Sequence, residues 1–149
     1  TEMRARGFSV PLGADGAACN NALDMFQEMR LAATLQAMRH GPGALSARDA
    51  VRMATREGAR ALGRDAEFGS IEPGKLADVI VVRTDGVHQQ PATDPYSTLV
   101  YSSRATDVRA TIVNGSIVCR DGALTWGEPR AIVEEANTAR RRLRDRAGV

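Results

Sequence analysis

Asp15 is the residue of this sequence best placed to do chemistry. It follows a short apolar run, Phe8-Ser9-Val10-Pro11-Leu12, with large side chains at Phe8, Val10 and Leu12 and a stop at Gly13. An acid just beyond a buried strand, inside the Gly- and Ala-rich turn Gly13-Ala14-Asp15-Gly16-Ala17-Ala18, is an unusual place to leave a charge. In α/β barrels the carboxyl ends of the strands face the active site. A carboxylate there can ligate a divalent metal and carry a proton from an attacking water to a leaving amine. The competing reading is a turn or helix-capping aspartate with no chemical role.

The other candidate groups are weaker. A catalytic zinc normally has three protein ligands and a water. This sequence has two histidines, His40 in a Gly-Pro-Gly break and His88 beside Gln89 and Gln90, with no His-x-His or HExxH pattern. Both read as loop residues. Cys19 reads as a packing residue of a small-residue turn. Asn20 or Asn21 reads as a helix cap, with a substrate contact as the alternative. Met25, Phe26 and Met29 read as core. Lys75 and Asp78 flank a turn and a strand start, which favours structural roles.

Composition bounds the function classes. The 149 residues are 43% hydrophobic and 26% charged, which is globular, and only 4% aromatic, so the core must rest on Leu, Val, Ile, Met and Ala. A net charge of +2 argues against nucleic-acid binding driven by bulk charge. Two distant cysteines, Cys19 and Cys119, make no disulfide framework and suit a reducing, cytoplasmic setting. No run approaches the ~18 apolar residues of a membrane span.

The elements that must position Asp15 follow from periodicity. Residues 1–7 read as a helix end stopped at Gly7, and residues 8–12 as a strand. Asn20 or Asn21 opens a helix to about Arg39, with Phe26, Met29, Ala33 and Ala37 on one face and Gln27, Arg30 and Gln36 off it. Ser46 and Asp49 form a capping box for a second helix, with Ala47, Val51, Ala54, Gly58 and Leu62 as its inner face and Gly63 as its stop. Pro73-Gly74 predicts a type II turn before a strand over 77–82. Residues 83–106 read as an irregular connection broken by Leu99-Val100-Tyr101. Strands over 108–113 and 116–120 flank Asn114-Gly115, the strongest short hairpin signal. Pro129 starts a last helix with the narrow stripe Ile132, Ala136, Ala139 and Leu143. Its arginines, Arg140, Arg141, Arg142, Arg144 and Arg146, read as a solvated face.

Three segments carry a family resemblance. Residues 10–35, VPLGADGAACNNALDMFQEMRLAATL, resemble the last metal-binding segment of the amidohydrolase superfamily, in the branch of aminohydrolases and chlorohydrolases of N-heterocycles. Residues 67–82, EFGSIEPGKLADVIVV, resemble the passage from that family's barrel into its small β-sandwich, and residues 107–122, DVRATIVNGSIVCRDG, resemble the hairpin that follows. The resemblance implies an α/β fold: the C-terminal portion of a metal-dependent (β/α)8 barrel over 1–63, part of a small β-sandwich domain over 64–124, and a C-terminal helix over 125–149. It implies that Asp15 is both metal ligand and catalytic base, acting on an sp² carbon that bears an amino or chloro group. The family usually has Thr where this sequence has Ala14 and often Ser where it has Cys19. Its His-x-His, later histidines and catalytic glutamate have no counterpart here, and about 250 residues are needed for a whole barrel. The expectation is therefore a fragment, inactive and metal-free by itself. The parent enzyme would use one divalent metal, zinc or iron, and a small heterocyclic substrate, with substrate-binding residues unassigned. A homo-oligomer is expected, with no nucleic-acid or membrane partner, and the fragment by itself should cover the faces left bare either by self-association or by keeping the missing part as a partner. The alternatives are a cyclic-amide hydrolase of the same superfamily and a non-enzymatic α+β module with a basic last helix.

Overall fold

The computed structural model describes residues 2–148. Its core lies between two helices and a compact turn segment. Helix α2 (Met25–His40) contributes Phe26, Met29 and Ala33, α3 (Ala47–Ala54) contributes Ala47, Ala50 and Met53, and Leu45 and Val100 close the cluster. Val100 is fully buried, at the centre of a π-helical turn (Thr98–Ser102) that continues the short α5 (Pro95–Ser97). The stretch read as an irregular connection therefore supplies one wall of the core. Residue-level periodicity misses it because the segment is held by distant partners. Arg30 Nη2 and Nε donate to the carbonyls of Ser103 (2.7 Å) and Val100 (3.2 Å).

Helix ends agree with capping rules more than with face assignments. The cap of α2 is Asp24, whose Oδ1 accepts from Phe26 N–H at 2.9 Å. Asn20 and Asn21 do not cap it, because Asn20 is taken up by the preceding turn. Ser46 caps α3 as expected, accepting from Asp49 N–H and donating to its carboxylate. The second helix is not continuous. It breaks at Thr55 (φ −129°, ψ −90°) before α4 (Arg56–Ala61). The break re-aims the face: Ala50 and Met53 are buried, while Leu62, assigned inward from periodicity, is 70% exposed.

Strands β1 (Val79–Val82), β2 (Val108–Val113), β3 (Ser116–Arg120) and β4 (Ala123–Leu124) form one antiparallel sheet in chain order. Asn114 (φ 47°) and Gly115 (φ 78°) make the expected tight turn between β2 and β3, and Asp121-Gly122 repeats it into β4, a two-residue strand that the sequence does not announce. Asp78 Oδ1 accepts from Asn114 N–H at 2.7 Å, tying the hairpin tip to the base of β1. Gly74 (φ 89°) holds the predicted turn, and Lys75 Nζ donates to Asp65 O and Ser70 Oγ. Both Lys75 and Asp78 are structural, as expected.

Residues 8–12 are extended but pair with no strand among the described residues. This corrects the expected strand. An extended run needs a neighbouring ladder, and here its backbone instead meets a helix: Leu12 N–H donates to Met53 O at 3.1 Å. The last helix, α6 (Pro129–Ala147), begins at Pro129 as expected and buries none of its residues.

Candidate functional site

Asp15 sits where the extended run meets the loop into α2. The run itself is fixed from behind. Helix α1 (Glu2–Ala5) ends in a turn with Gly7 at φ 85°, and Arg4 on that helix reaches Asp49 Oδ1 (3.0 Å) and Glu57 Oε1 (3.2 Å). The Arg4 guanidinium and then the Ser46 hydroxyl hold the Asp49 carboxyl below the usual carboxylate range. Val10 and Leu12 pack on the core, so the run lies along α3 rather than free in solvent.

The loop is fixed from in front. Cys19 and Asn20 N–H donate to Gly16 O, Ala22 N–H donates to Asn20 Oδ1, and Asn20 Nδ2 donates to Glu28 Oε1 on α2. Asp15 itself lies in the left-handed region (φ 58°), where non-glycine residues are uncommon and Asp is among the more tolerant. Its Oδ1 accepts from Gly16 N–H at 2.7 Å, and the side chain is exposed. The turn reading and the catalytic reading are therefore both compatible with this geometry. A carboxylate presented in this way can accept a proton or ligate a cation.

The rest of a metal site is not assembled around it. Among the described residues no group of three or more His, Cys, Asp or Glu side chains stands close enough to hold a metal ion. His40 ends α2 in an exposed position. His88 Nε2 lies 2.9 Å from Asp107 Oδ2, and Asp107 also accepts from Arg104 N–H at 2.9 Å. Burial would raise the Asp107 carboxyl, but the His88 and Arg104 hydrogen bonds outweigh it and hold it below the usual range. This pair, with the buried Gln89 that bonds Arg83 O and Ser103 Oγ, locks the 83–107 segment. His88 is thus structural rather than a plain loop residue. The residues present supply one possible ligand and do not by themselves fit a metal.

A groove of about 730 Å³ runs between the start of α2 and the sheet, past Phe26, Ile80, Arg83, Val108 and Cys119. Asp15 does not line it.

Comparison with known proteins places this arrangement in a family. Residues 2–118 match the amidohydrolase family model. The chain is 49% identical over 135 residues to a 5′-deoxyadenosine deaminase of Methanothermobacter thermautotrophicus, covering 90% of this chain and 31% of that protein. It is 44% identical over 147 residues to a 5-methylthioadenosine/S-adenosylhomocysteine deaminase of Halobacterium salinarum, covering 98% and 34%. Among solved structures it resembles a zinc-bound adenosine deaminase from Xanthomonas campestris (TM-score 0.90, 35% identity, 96% of this chain and 33% of that one). It also resembles a zinc-complexed atrazine chlorohydrolase from Arthrobacter aurescens (TM-score 0.83, 31% identity, 92% and 31%). The chain thus spans about a third of the length of the relatives it matches. A match over most of its residues, joined to this likeness of fold, makes the chain a member of the amidohydrolase family.

Proposed function

We propose that this chain is part of a metal-dependent hydrolase that replaces an amino or chloro group on the ring of an N-heterocycle, with 5′-modified adenosines as the first substrate class to test. The observation that carries the reading is Asp15, held at the end of the extended run in a chain 49% identical to a 5′-deoxyadenosine deaminase. In this reading residues 8–12, unpaired among the described residues, lie where the last strand of the parent's barrel would run. Residues 1–63 belong to the barrel, 64–124 to a small β domain and 125–149 to a separate helix. Asp15 takes the proton of the attacking water on a carboxylate oxygen and returns it to the departing nitrogen of an amino group; a chloro group departs as chloride and the proton passes from Asp15 to solvent. One divalent ion, zinc or iron, held in the parent by Asp15 and further ligands, would supply the Lewis acidity that makes water nucleophilic near neutral pH. Its remaining ligands come from residues that this chain does not contain. The exposed Phe8 (59%), Ile80 (50%) and Val81 (48%) are the surfaces such a parent, or a second copy, would cover.

The test replaces Asp15 by Asn in the full-length parent and follows ammonia release from 5′-deoxyadenosine and methylthioadenosine, and chloride release from a chlorotriazine. The expected result is a loss of about 10³-fold in turnover with the fold unchanged, in line with removal of a general base. Retention of activity within tenfold of the parent refutes the assignment. The 149-residue chain alone should bind no stoichiometric zinc and release no ammonia. Metal at one equivalent with turnover would overturn the view that the site is shared with missing residues.

A further inference from the structure

Helix α6 is the longest helix among the described residues and has no buried residue. It runs 19 residues from Pro129 to Ala147, buries none of them, and leaves Ile132 (40%), Val133 (58%) and Leu143 (58%) exposed. Most helical stability in proteins comes from packing an apolar face rather than from propensity. The stripe Ile132, Ala136, Ala139, Leu143 advances in steps of four, three and four, the spacing of a helix–helix seam. The question is what the seam packs against.

The sequence of α6 is complementary to itself reversed. Its first half carries Glu134 and Glu135 with one base, Arg130, and its second half carries Arg140, Arg141, Arg142, Arg144 and Arg146 with one acid, Asp145, so the halves are net acidic and net basic. We propose that α6 is the docking face for a second copy of this chain, paired antiparallel with its own α6. Aligned about the midpoint of the stripe, Ile132 lies against Leu143 of the second copy and Ala136 against its Ala139. The large residues then fall at the ends of the seam and the small ones at the crossing, where Ala–Ala contact lets the axes approach to about 8 Å. On one flank Glu135 faces Arg142 of the second copy. On the other, Val133 lies beneath the aliphatic stem of Arg140. The two-fold axis repeats each contact. Antiparallel pairing also sets each acidic half beside a basic half. Parallel pairing would set the arginine clusters side by side. The proposal rests on the self-association put forward above and is independent of the chemistry at Asp15.

Two charge reversals test it in the 149-residue chain. Glu135→Arg and Arg142→Glu each change an exposed residue of a helix with no buried residues, so both variants should retain the parent circular dichroism. By sedimentation equilibrium the unchanged chain should dimerise, and each variant alone should show a dimer Kd raised about tenfold, since each reversal places two like-charge contacts across the seam. Mixed in equal amounts, the two variants should recover the parent Kd, and native mass spectrometry should show the mixed dimer in excess. Only a partner that is another copy can produce that rescue. A monomeric parent chain overturns both this proposal and the self-association it rests on. A parent dimer that both variants leave intact overturns the α6 seam alone and points to Phe8 or β1 as the interface. Variants that weaken association but show no rescue on mixing also overturn it. So does a chain in which Arg142→Glu abolishes DNA binding while the oligomeric state stays unchanged.

Discussion

Replacing Arg4 by Met should cost about 2.5 kcal/mol of stability, although Arg4 is not itself a member of the core cluster. Its guanidinium bonds Asp49 and Glu57, whose side chains are 34% and 11% exposed. A hydrogen bond to a well-buried charged group is worth about 1.5–3 kcal/mol, and an exposed ion pair about 0.2–1 kcal/mol. The Glu57 contact therefore contributes about 2 kcal/mol and the Asp49 contact about 0.5 kcal/mol. The loss is steep at Glu57 because its other oxygen, Oε2, is buried with no hydrogen-bond partner in the structure. Met keeps the stem volume, so the change isolates the charge. At a urea dependence of about 2 kcal/mol per molar, the unfolding midpoint should fall by about 1.2 M. Adding Glu57→Gln to Arg4→Met should recover most of that loss, because a neutral amide does not need the guanidinium. A midpoint within 0.2 M of the parent for Arg4→Met, or no recovery in the double variant, would refute the reasoning.

Three further outcomes are expected. Arg30→Met should cost about 2 kcal/mol in urea unfolding, because the carbonyls of Val100 and Ser103 lose their donor. Gly69→Ala should cost about 2 kcal/mol, since Gly69 has φ 94° and an added Cβ would stand 2.6 Å from Ala59 Cβ, whereas Gly74→Ala, at φ 89° with open space around it, should cost about 1 kcal/mol, read from their melting temperatures. Asp49 and Asp107 both have carboxyls held below their ordinary values, so their stabilisation is full above the unfolded carboxylate range near pH 4 and is lost as pH falls through the lower folded values. Urea midpoints taken between about pH 5 and pH 2 should fall. Asp107→Asn should flatten that fall.

What the sequence made legible is what is decided locally. Ser46 with Asp49, Pro73-Gly74 and Asn114-Gly115 each fix a turn or cap through groups within a few residues, and all three stand where expected. The fate of Asn20 shows where local rules stop. Three Asx residues, Asn20, Asn21 and Asp24, compete to cap α2, and Asp24 wins because Asn20 bonds Ala22 and Glu28. The segment 83–107 was illegible for a different reason. Its order comes from Arg30, seventy residues from Val100, and from the His88–Asp107 and Gln89–Ser103 pairs, none of which leaves a periodic trace. Residues 8–12 show the converse error. Their alternation is a genuine strand signal, but a strand is a property of two segments, and no partner stands beside this one among the described residues.

That last point bears on how Asp15 is positioned. In a complete metal site the ligands could be set by each other through the ion. Among the described residues the carboxylate has no such partners, yet its backbone stands in an uncommon conformation within a loop bonded on both sides. Leu12 is tied to α3 three residues before it, Asn20 is tied to α2 five residues after it, and Gly16 bonds the carboxylate itself. Both helices fold around the shared core of Phe26, Met29, Ala50 and Met53. The direction of dependence is therefore from helices to loop to carboxylate. Preorganising a ligand on rigid elements lowers what the ion must supply on binding. On the proposed function the other ligands would come from outside this chain, while the bonds of Leu12, Gly16 and Asn20 hold the Asp15 loop from within it.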